Sequence, residues 1–568
     1  MESSNHFHIE QLSATLTDGS NAATENTQQE LDVLVVGAGF AGIYQLKHLR
    51  DLGYKALLVD NGSEYGGTWY WNRYPGIRVD TSAPQYQFSD PDLRKDFEFK
   101  QRFPGGVEIR KYLKHVTERW DVRKDTKFDT YIASAAWDNE ATKWSATAAD
   151  GTTYRAKFLV LCTGCLVDEF VPKWKDVDKY TGQFFHSSSW PRKAPNFKGK
   201  KVAVIGTGAS AVQIIQELAN AVDELTVFQR TPNTALPMRQ VDYDEVNKPI
   251  PEDEVRESLA VRMKSFCGFD FTFLPRKCFE DTPEKRLQTY ENLWKEGDFK
   301  YWLGTYIDTL FVEEANRECY NFWRDKTRAR IHDPKVADLL APMEPAYAFG
   351  TKRIPLEQGY FEIFNSPHVE LVDLKATPIE RFTEKGIKTS AEEMPFDIVI
   401  AATGFDALTG SLTRINLHGK DGTLLKDQWK DGVKTYLGLT AHNFPNLFFQ
   451  YGPQAPSVLC NGPTCAELQG NWVIETITHC RDHGISTIEA TEAAEEEWRG
   501  NVVQLAGASL LMGTNSWYVG ANIPGKLREP LVYLGGVPKY YENLNAVRDH
   551  GYEGFVLEGG DGTRVSKL

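Results

Sequence analysis

Leu31 to Asp60 reads LDVLVVGAGFAGIYQLKHLRDLGYKALLVD, and this stretch decides the fold. Leu31 to Val36 is an apolar run of strand length. Gly37-Ala38-Gly39-Phe40-Ala41-Gly42 follows as a GxGxxG turn. The pattern then predicts a helix from Ile43 to Leu52 and a second strand from Ala56 to Val59. Gly37 permits the tight turn, Gly39 lets backbone approach a pyrophosphate, and Gly42 lets helix and strand pack closely. The helix N-terminus offers unpaired N–H groups to phosphate oxygens. Asp60 stands 23 residues after Gly37, at the end of the second strand, where a carboxylate accepts from ribose hydroxyls. Strand, turn, helix, strand and acid together describe a dinucleotide-binding βαβ unit.

A second unit lies at Lys200–Asn233, KKVAVIGTGASAVQIIQELANAVDELTVFQRTPN. Gly206-Thr207-Gly208-Ala209-Ser210-Ala211 fits GxGxxA, between a strand at 202–205 and a helix at 212–219. The next strand, 225–228, ends in Gln229-Arg230 and carries no acid. A guanidinium there pairs with a 2′-phosphate rather than a ribose hydroxyl. The first site therefore fits FAD and the second NADPH.

Composition narrows the remaining classes. The 568 residues carry a formal net charge of −14, with 64 basic and 78 acidic side chains. An acidic surface repels nucleic acid, and no long basic stripe offsets it. No apolar run reaches the length of a membrane span. The eight cysteines are dispersed, which is unlike a disulfide scaffold. Cys162-Thr163-Gly164-Cys165 lacks a second ligand pair, so no metal site is expected. Residues 1–30 hold no Lys or Arg and no apolar run, so they read as a flexible extension, with His6 and His8 solvated and no export signal. The chain ends Ser566-Lys567-Leu568, a peroxisomal address for an import receptor in a eukaryotic cell; otherwise the cytoplasm is expected.

The strands FLVLCTG and FDIVIAATGF read as the points where the chain leaves and re-enters the first domain. The predicted fold class is α/β, with two Rossmann-like domains and the NADP domain inserted in the FAD domain. The FAD domain takes 31–165 and 396–568, and the NADP domain takes 166–235 and 346–395. Residues 236–345 break the alternation and read as a mostly helical insertion. Thr282-Pro283 starts one of its helices, with Leu287, Tyr290, Leu293 and Trp294 at helical spacing.

Two longer blocks carry a family resemblance. GGTWYWNRYPGIRVD spans Gly66–Asp80, and YTGQFFHSSSWP spans Tyr180–Pro191. With the nucleotide motifs they resemble the Baeyer–Villiger monooxygenases, class B flavoproteins whose fingerprint is FxGxxxHxxxW followed by Pro or Asp. Here that fingerprint is Tyr180, Gly182, His186, Trp190 and Pro191, with Tyr in place of the usual Phe. FGTKRIPLEQGYFEIFN, ATGFDALTG and SWYVGANIPGK look like further family blocks, so the resemblance covers roughly 31–560.

The resemblance implies that NADPH reduces FAD, that O2 gives a C4a-peroxyflavin, and that a ketone becomes an ester or lactone. It places catalysis on Arg353, oriented by Asp80. It places FAD against Gly67, Thr68, Trp69, Trp71, Asp80 and Tyr86, in addition to the first turn and Asp60. It places NADP against Arg230, Thr231, Lys352, Arg353 and Trp517, in addition to the second turn, and assigns Ser457–Gly462 to the substrate pocket. His186 resembles a residue that couples the position of the NADP domain to turnover. A flavin monooxygenase acting on N or S, and a flavin-binding redox sensor, are the competing readings. Neither the ketone nor the oligomeric state is legible at this level.

Overall fold

In the computed structural model, residues 29–244, 246–560 and 564 are described. The N-terminal extension up to residue 28, with His6 and His8, lies outside the described residues, as does Ser566-Lys567-Leu568. The first strand begins at Gln29, so Gln29 and Glu30, read as part of the extension, belong to the first sheet.

Strand β1 (Gln29–Val36) sits centrally in the first sheet. Val33, Leu34 and Val35 are fully buried, as a parallel strand covered on both faces requires. Helix α1 (Phe40–Asp51) follows the glycine turn, and β2 (Ala56–Val59) returns parallel to β1 with Val36 opposite Val59. On the other side β1 pairs in parallel with β3 (Thr153–Leu161), placing Val36 opposite Leu161. The early half of β3 pairs antiparallel with Lys143–Ala148, whereas its last residues run parallel to Leu447–Phe449. One long strand thus serves both the nucleotide-binding sheet and an antiparallel extension of it.

The second sheet contains β4 (Gln183–His186), β5 (Lys201–Ile205), β6 (Glu224–Gln229), β7 (Val369–Asp373) and β8 (Ile398–Ala401), all parallel, in the spatial order β7-β6-β5-β8-β4. Helix α2 (Ala209–Leu218) opens directly after its glycine turn. Strand β8 corrects the boundary drawn at residue 396: Ile398–Ala401 belongs to the second sheet, between β5 and β4. Its apolar run is buried on both faces there, which is why periodicity did not separate it from a first-domain strand. A three-stranded meander over 379–395 packs Phe382, Ile387 and Met394 against Ala203, Ile205 and Phe228 of this sheet.

The 236–345 segment is helical, with longer helices at Glu252–Val261, Pro283–Glu296 and Glu313–Arg328. Thr282 caps the Pro283–Glu296 helix by accepting from the Lys285 N–H at 3.4 Å. Tyr290 and Trp294 are buried, while Leu287 stays 55 % exposed at the edge of the stripe. Leu236–Pro237 pairs with Leu356–Glu357, closing the insertion at its base. The Trp323 indole N–H donates to the Ala235 carbonyl at 2.9 Å and ties the insertion to the strand exits above the second sheet.

Each glycine turn is pressed against a neighbouring strand exit. Gly37 has φ +111°, and a Cβ there would collide with the Cys162 carbonyl oxygen. Gly206 has φ +119°, and a Cβ there would collide with the Ala402 carbonyl oxygen. A left-handed backbone and a backbone obstacle leave no room for a side chain. Gly206→Ala is expected to destabilise the NADP domain by about 2–3 kcal/mol. Thermal unfolding should show this as a lowered midpoint with FAD content retained; an unshifted midpoint would contradict the packing.

Candidate active site

Both nucleotide turns present what a pyrophosphate needs. Gly39 caps α1 and Gly208 caps α2 with no side chain bonded to the first N–H groups, so these donors remain for a ligand. A Cβ on Gly208 would meet nothing within 4 Å, so the second turn opens onto free space. In the first turn Gly39 and Gly67 bring two backbones together, since a Cβ on Gly67 would lie 2.9 Å from the Gly39 Cα. Phe40 and Ala41 are buried behind the turn. Gly67, with φ +51°, starts the short Thr68–Trp71 helix that carries Trp69 and Trp71. The Trp69 indole donates to the Tyr86 hydroxyl at 3.2 Å, and Tyr86 stands edge-on to Phe40 with ring centroids 5.4 Å apart. This backbone-lined, aromatic-walled cradle fits a flavin nucleotide.

Asp60 sits at the end of β2 as expected, and its carboxylate accepts from the Ala38 and Gly62 N–H groups, each at 2.6 Å. Burial pushes its pKa up, and these two backbone donors act in the opposite direction. Each oxygen keeps a further lone pair for a ribose hydroxyl.

Arg353 and Asp80, 273 residues apart in sequence, meet in the fold. Arg353 Nε and Nη2 both donate to Asp80 Oδ2, at 3.1 and 2.6 Å, and Nη1 donates to the Val458 carbonyl at 2.7 Å. The guanidinium also lies over the Phe299 ring, 5.0 Å from its centroid. Burial alone would lower its pKa. Asp80, with help from Tyr518 and Cys267, outweighs burial and raises it above the ordinary arginine value. The side chain is therefore a permanent cation. Cys165 lies nearby with its thiol pushed up to about 11 by burial, so it stays neutral. The wall thus combines one ion pair with uncharged thiol and aromatic groups.

Lys352, the adjacent residue, faces elsewhere. Its ammonium lies 4.5 Å from the Tyr347 ring centroid and within electrostatic reach of Arg230 and Lys375. Burial first, and then those two cations, pull its pKa down to about 8. Arg230, Lys352 and Lys375 have no carboxylate within ion-pair distance among the described residues. Such a cluster fits a 2′-phosphate, which would relieve the repulsion. Thr231 lies beside it, its carbonyl accepting from the Thr207 hydroxyl at 2.7 Å. Ser210 and Ala211 begin α2 beneath.

Other expected residues make no hydrogen bond or ion pair with Arg353 among the described residues. His186 is buried, with Nδ1 2.7 Å from the Ser188 hydroxyl and 3.4 Å from Glu169 Oε2. The Glu169 carboxyl is held down to about 2: burial opposes ionisation, but hydrogen bonds from His186, Ser189 and Ser188 outweigh it. Trp190 packs on Phe185 at 5.4 Å. Gly182 has no room for a side chain because the Tyr180 ring folds over it. The Tyr180 hydroxyl donates to the Phe396 carbonyl at 2.9 Å, a bond that the usual Phe could not make. Trp517 is half-buried and touches Tyr518, with ring centroids 4.6 Å apart. Sequence reading missed Lys375, Phe299, Cys267 and Tyr518. Only Tyr518 carried a signal, as the neighbour of Trp517.

A lysine with a pKa near 8 binds phosphate best while protonated. The KM for NADPH is therefore expected to rise several-fold between pH 8 and 9.5, whereas Lys352→Arg should flatten the profile because arginine stays charged. A flat wild-type profile would remove Lys352 from the phosphate site.

A family model for flavin-binding monooxygenase-like proteins matches residues 30–243. The chain is 43 % identical to cyclopentanone 1,2-monooxygenase of Comamonas sp. (strain NCIMB 9872), over 96 % of this chain and 99 % of that one. It is 41 % identical to acetone monooxygenase (methyl acetate-forming) of Gordonia sp. (strain TY-5), over 93 % and 99 %. A crystal structure of OTEMO in complex with FAD and NADP superimposes with a TM-score of 0.88 at 37 % identity, over 93 % of this chain and 99 % of that one. Similarity of this depth over nearly full length, on top of the paired nucleotide turns and the Arg353–Asp80 centre, places the chain in a family: it belongs to the Baeyer–Villiger monooxygenases, NADPH-dependent flavoproteins that insert one oxygen atom of O2 beside a ketone carbonyl to give an ester or lactone.

Proposed function

We propose that Arg353, held by Asp80, is the oxygenating centre and that the substrate is a compact, uncharged ketone, with cyclic ketones foremost. The observation that carries this reading is the partly buried Arg353–Asp80 pair set among uncharged groups: Phe299, Cys165, Cys267, Tyr86 and Tyr518. A cationic substrate would be repelled by Arg353 and would lose its hydration there. The names of two relatives, for cyclopentanone and acetone, support small ketones.

FAD held in the cradle of the first glycine turn, Trp69 and Tyr86 would, once reduced by NADPH, supply the oxygenating chemistry. The protein supplies charge and position. Of the five guanidinium N–H groups of Arg353, two go to Asp80 and one to the Val458 carbonyl. The remaining two can meet the negative oxygen that attacks the carbonyl and the oxygen on which charge then develops. Asp80 fixes the plane of the guanidinium and keeps it protonated. Because the Val458 carbonyl is also a ligand of Arg353, the substrate loop and the cation are positioned together. The apolar wall excludes water, which strengthens each of these interactions.

Purified protein with FAD, NADPH and ¹⁸O2 is expected to convert cyclopentanone, and more weakly acetone, into an ester or lactone carrying one labelled oxygen. Arg353→Ala should lower ester formation by at least about a hundredfold while NADPH still bleaches the flavin. Absence of ester from every ketone tested, with sulfides or amines oxygenated instead, would overturn this reading.

A further inference from the structure

Two segments join the first sheet to the second, and they run side by side. Glu169 bridges Phe405 antiparallel, the Phe170 N–H donates to the Gly404 carbonyl at 2.9 Å, and the Asp406 N–H donates to the Asp168 carbonyl at 2.7 Å. The Leu408 N–H donates to the Cys165 carbonyl at 2.9 Å. These bonds make a two-stranded ribbon of the only crossings between the two main sheets among the described residues. The His186 ring stands edge-on to Phe405 on this ribbon, with centroids 5.8 Å apart.

The loop carrying Trp517 and Tyr518 is fastened to the same ribbon. Lys526 Nζ pairs with Asp406 and donates to the Thr409 hydroxyl at 2.5 Å. The Asn522 side-chain amide donates to the Phe405 carbonyl at 2.7 Å. Lys526 is 18 % exposed and Asp406 27 %, so this pair is screened far less than a surface ion pair. At its other end the loop is pinned beside the catalytic cation: the Thr514 and Thr351 hydroxyls are 2.6 Å apart and buried. Between the two anchors Tyr518 is 1 % exposed, beside Arg353.

We propose that Lys526 is a positioning residue, the latch by which the interdomain ribbon sets the position of the Trp517–Tyr518 loop over Arg353. Rotation of the second sheet against the first must flex the ribbon and carry Asp406 with it. Lys526 converts that displacement into a displacement of the loop. The NADP domain and the closure of the oxygenating centre are then one mechanical unit. The inference rests on the reading of Arg353 as the oxygenating centre.

The test is a double-mutant cycle on Lys526→Met and Asp406→Asn, with Lys526→Arg as the conservative variant. Each single variant is expected to lower ester formed per NADPH consumed by about fivefold, with the double variant no worse than either single one. Anaerobic bleaching of the flavin by NADPH and the thermal midpoint should stay near wild type, and Lys526→Arg should keep most of the coupling. A second readout needs no turnover: NADP⁺ should slow chymotrypsin cleavage after Trp517 and Tyr518 in the wild type but not in Lys526→Met. Unchanged coupling and unchanged NADP⁺ protection in Lys526→Met, or additive effects in the double variant, would overturn the latch. Wild-type protein that forms no ester would overturn the Arg353 reading instead, and the cleavage assay would still decide the latch.

Discussion

Two backbone carbonyls, of Cys162 and Ala402, set the limits within which the rest of the molecule is built. Each presses on the first glycine of a nucleotide turn, Gly37 or Gly206, at a distance that no side chain could share. The contact fixes the height of the turn relative to the sheet, and so the position of the helix N-terminus above it. The same two carbonyls mark the ends of the strands from which the chain crosses between sheets. Nucleotide binding and domain connection therefore originate from a single local packing solution, used twice.

Electrostatics at the centre follows from what that scaffold leaves buried. Arg353 is drawn from the segment after the helical insertion, Asp80 from the loop beyond the first nucleotide unit, and the Val458 carbonyl from the C-terminal part of the chain. An unpaired guanidinium in this position would cost far more than its contacts return. With Asp80 the charge is both tolerated and permanent, and a permanent cation is what an anionic oxygen nucleophile requires. Lys352, one residue away, takes the opposite course: burial first, and then two nearby cations with no carboxylate to offset them, make its charge conditional. Adjacent residues thus differ in protonation behaviour because their surroundings differ, although both are basic.

Much of this was legible in the chain. The turns at 37–42 and 206–211 specify strand, helix and pyrophosphate site by local rules alone, and the observed elements agree within a few residues. The Thr282-Pro283 cap was equally local. The boundary at 396 was misread because a strand buried on both faces shows no alternation, and nothing in FDIVIAATGF states which sheet receives it. The pairing of Arg353 with Asp80 was expected from family motifs and not from spacing, since 273 residues separate them. Phe299, Cys267 and Lys375 gave no signal, because their roles depend on long-range packing that no local pattern encodes.

The helical insertion is closed at its base by the pairing of Leu236–Pro237 with Leu356–Glu357, yet it delivers Phe299 and Cys267 to the surroundings of Arg353. It belongs to neither nucleotide-binding sheet. The insertion therefore lines the surroundings of Arg353 without forming part of either dinucleotide platform. Substitutions within the insertion can reshape the cavity while both dinucleotide platforms stay intact, so a lineage with this architecture can explore new substrates without first risking its redox machinery.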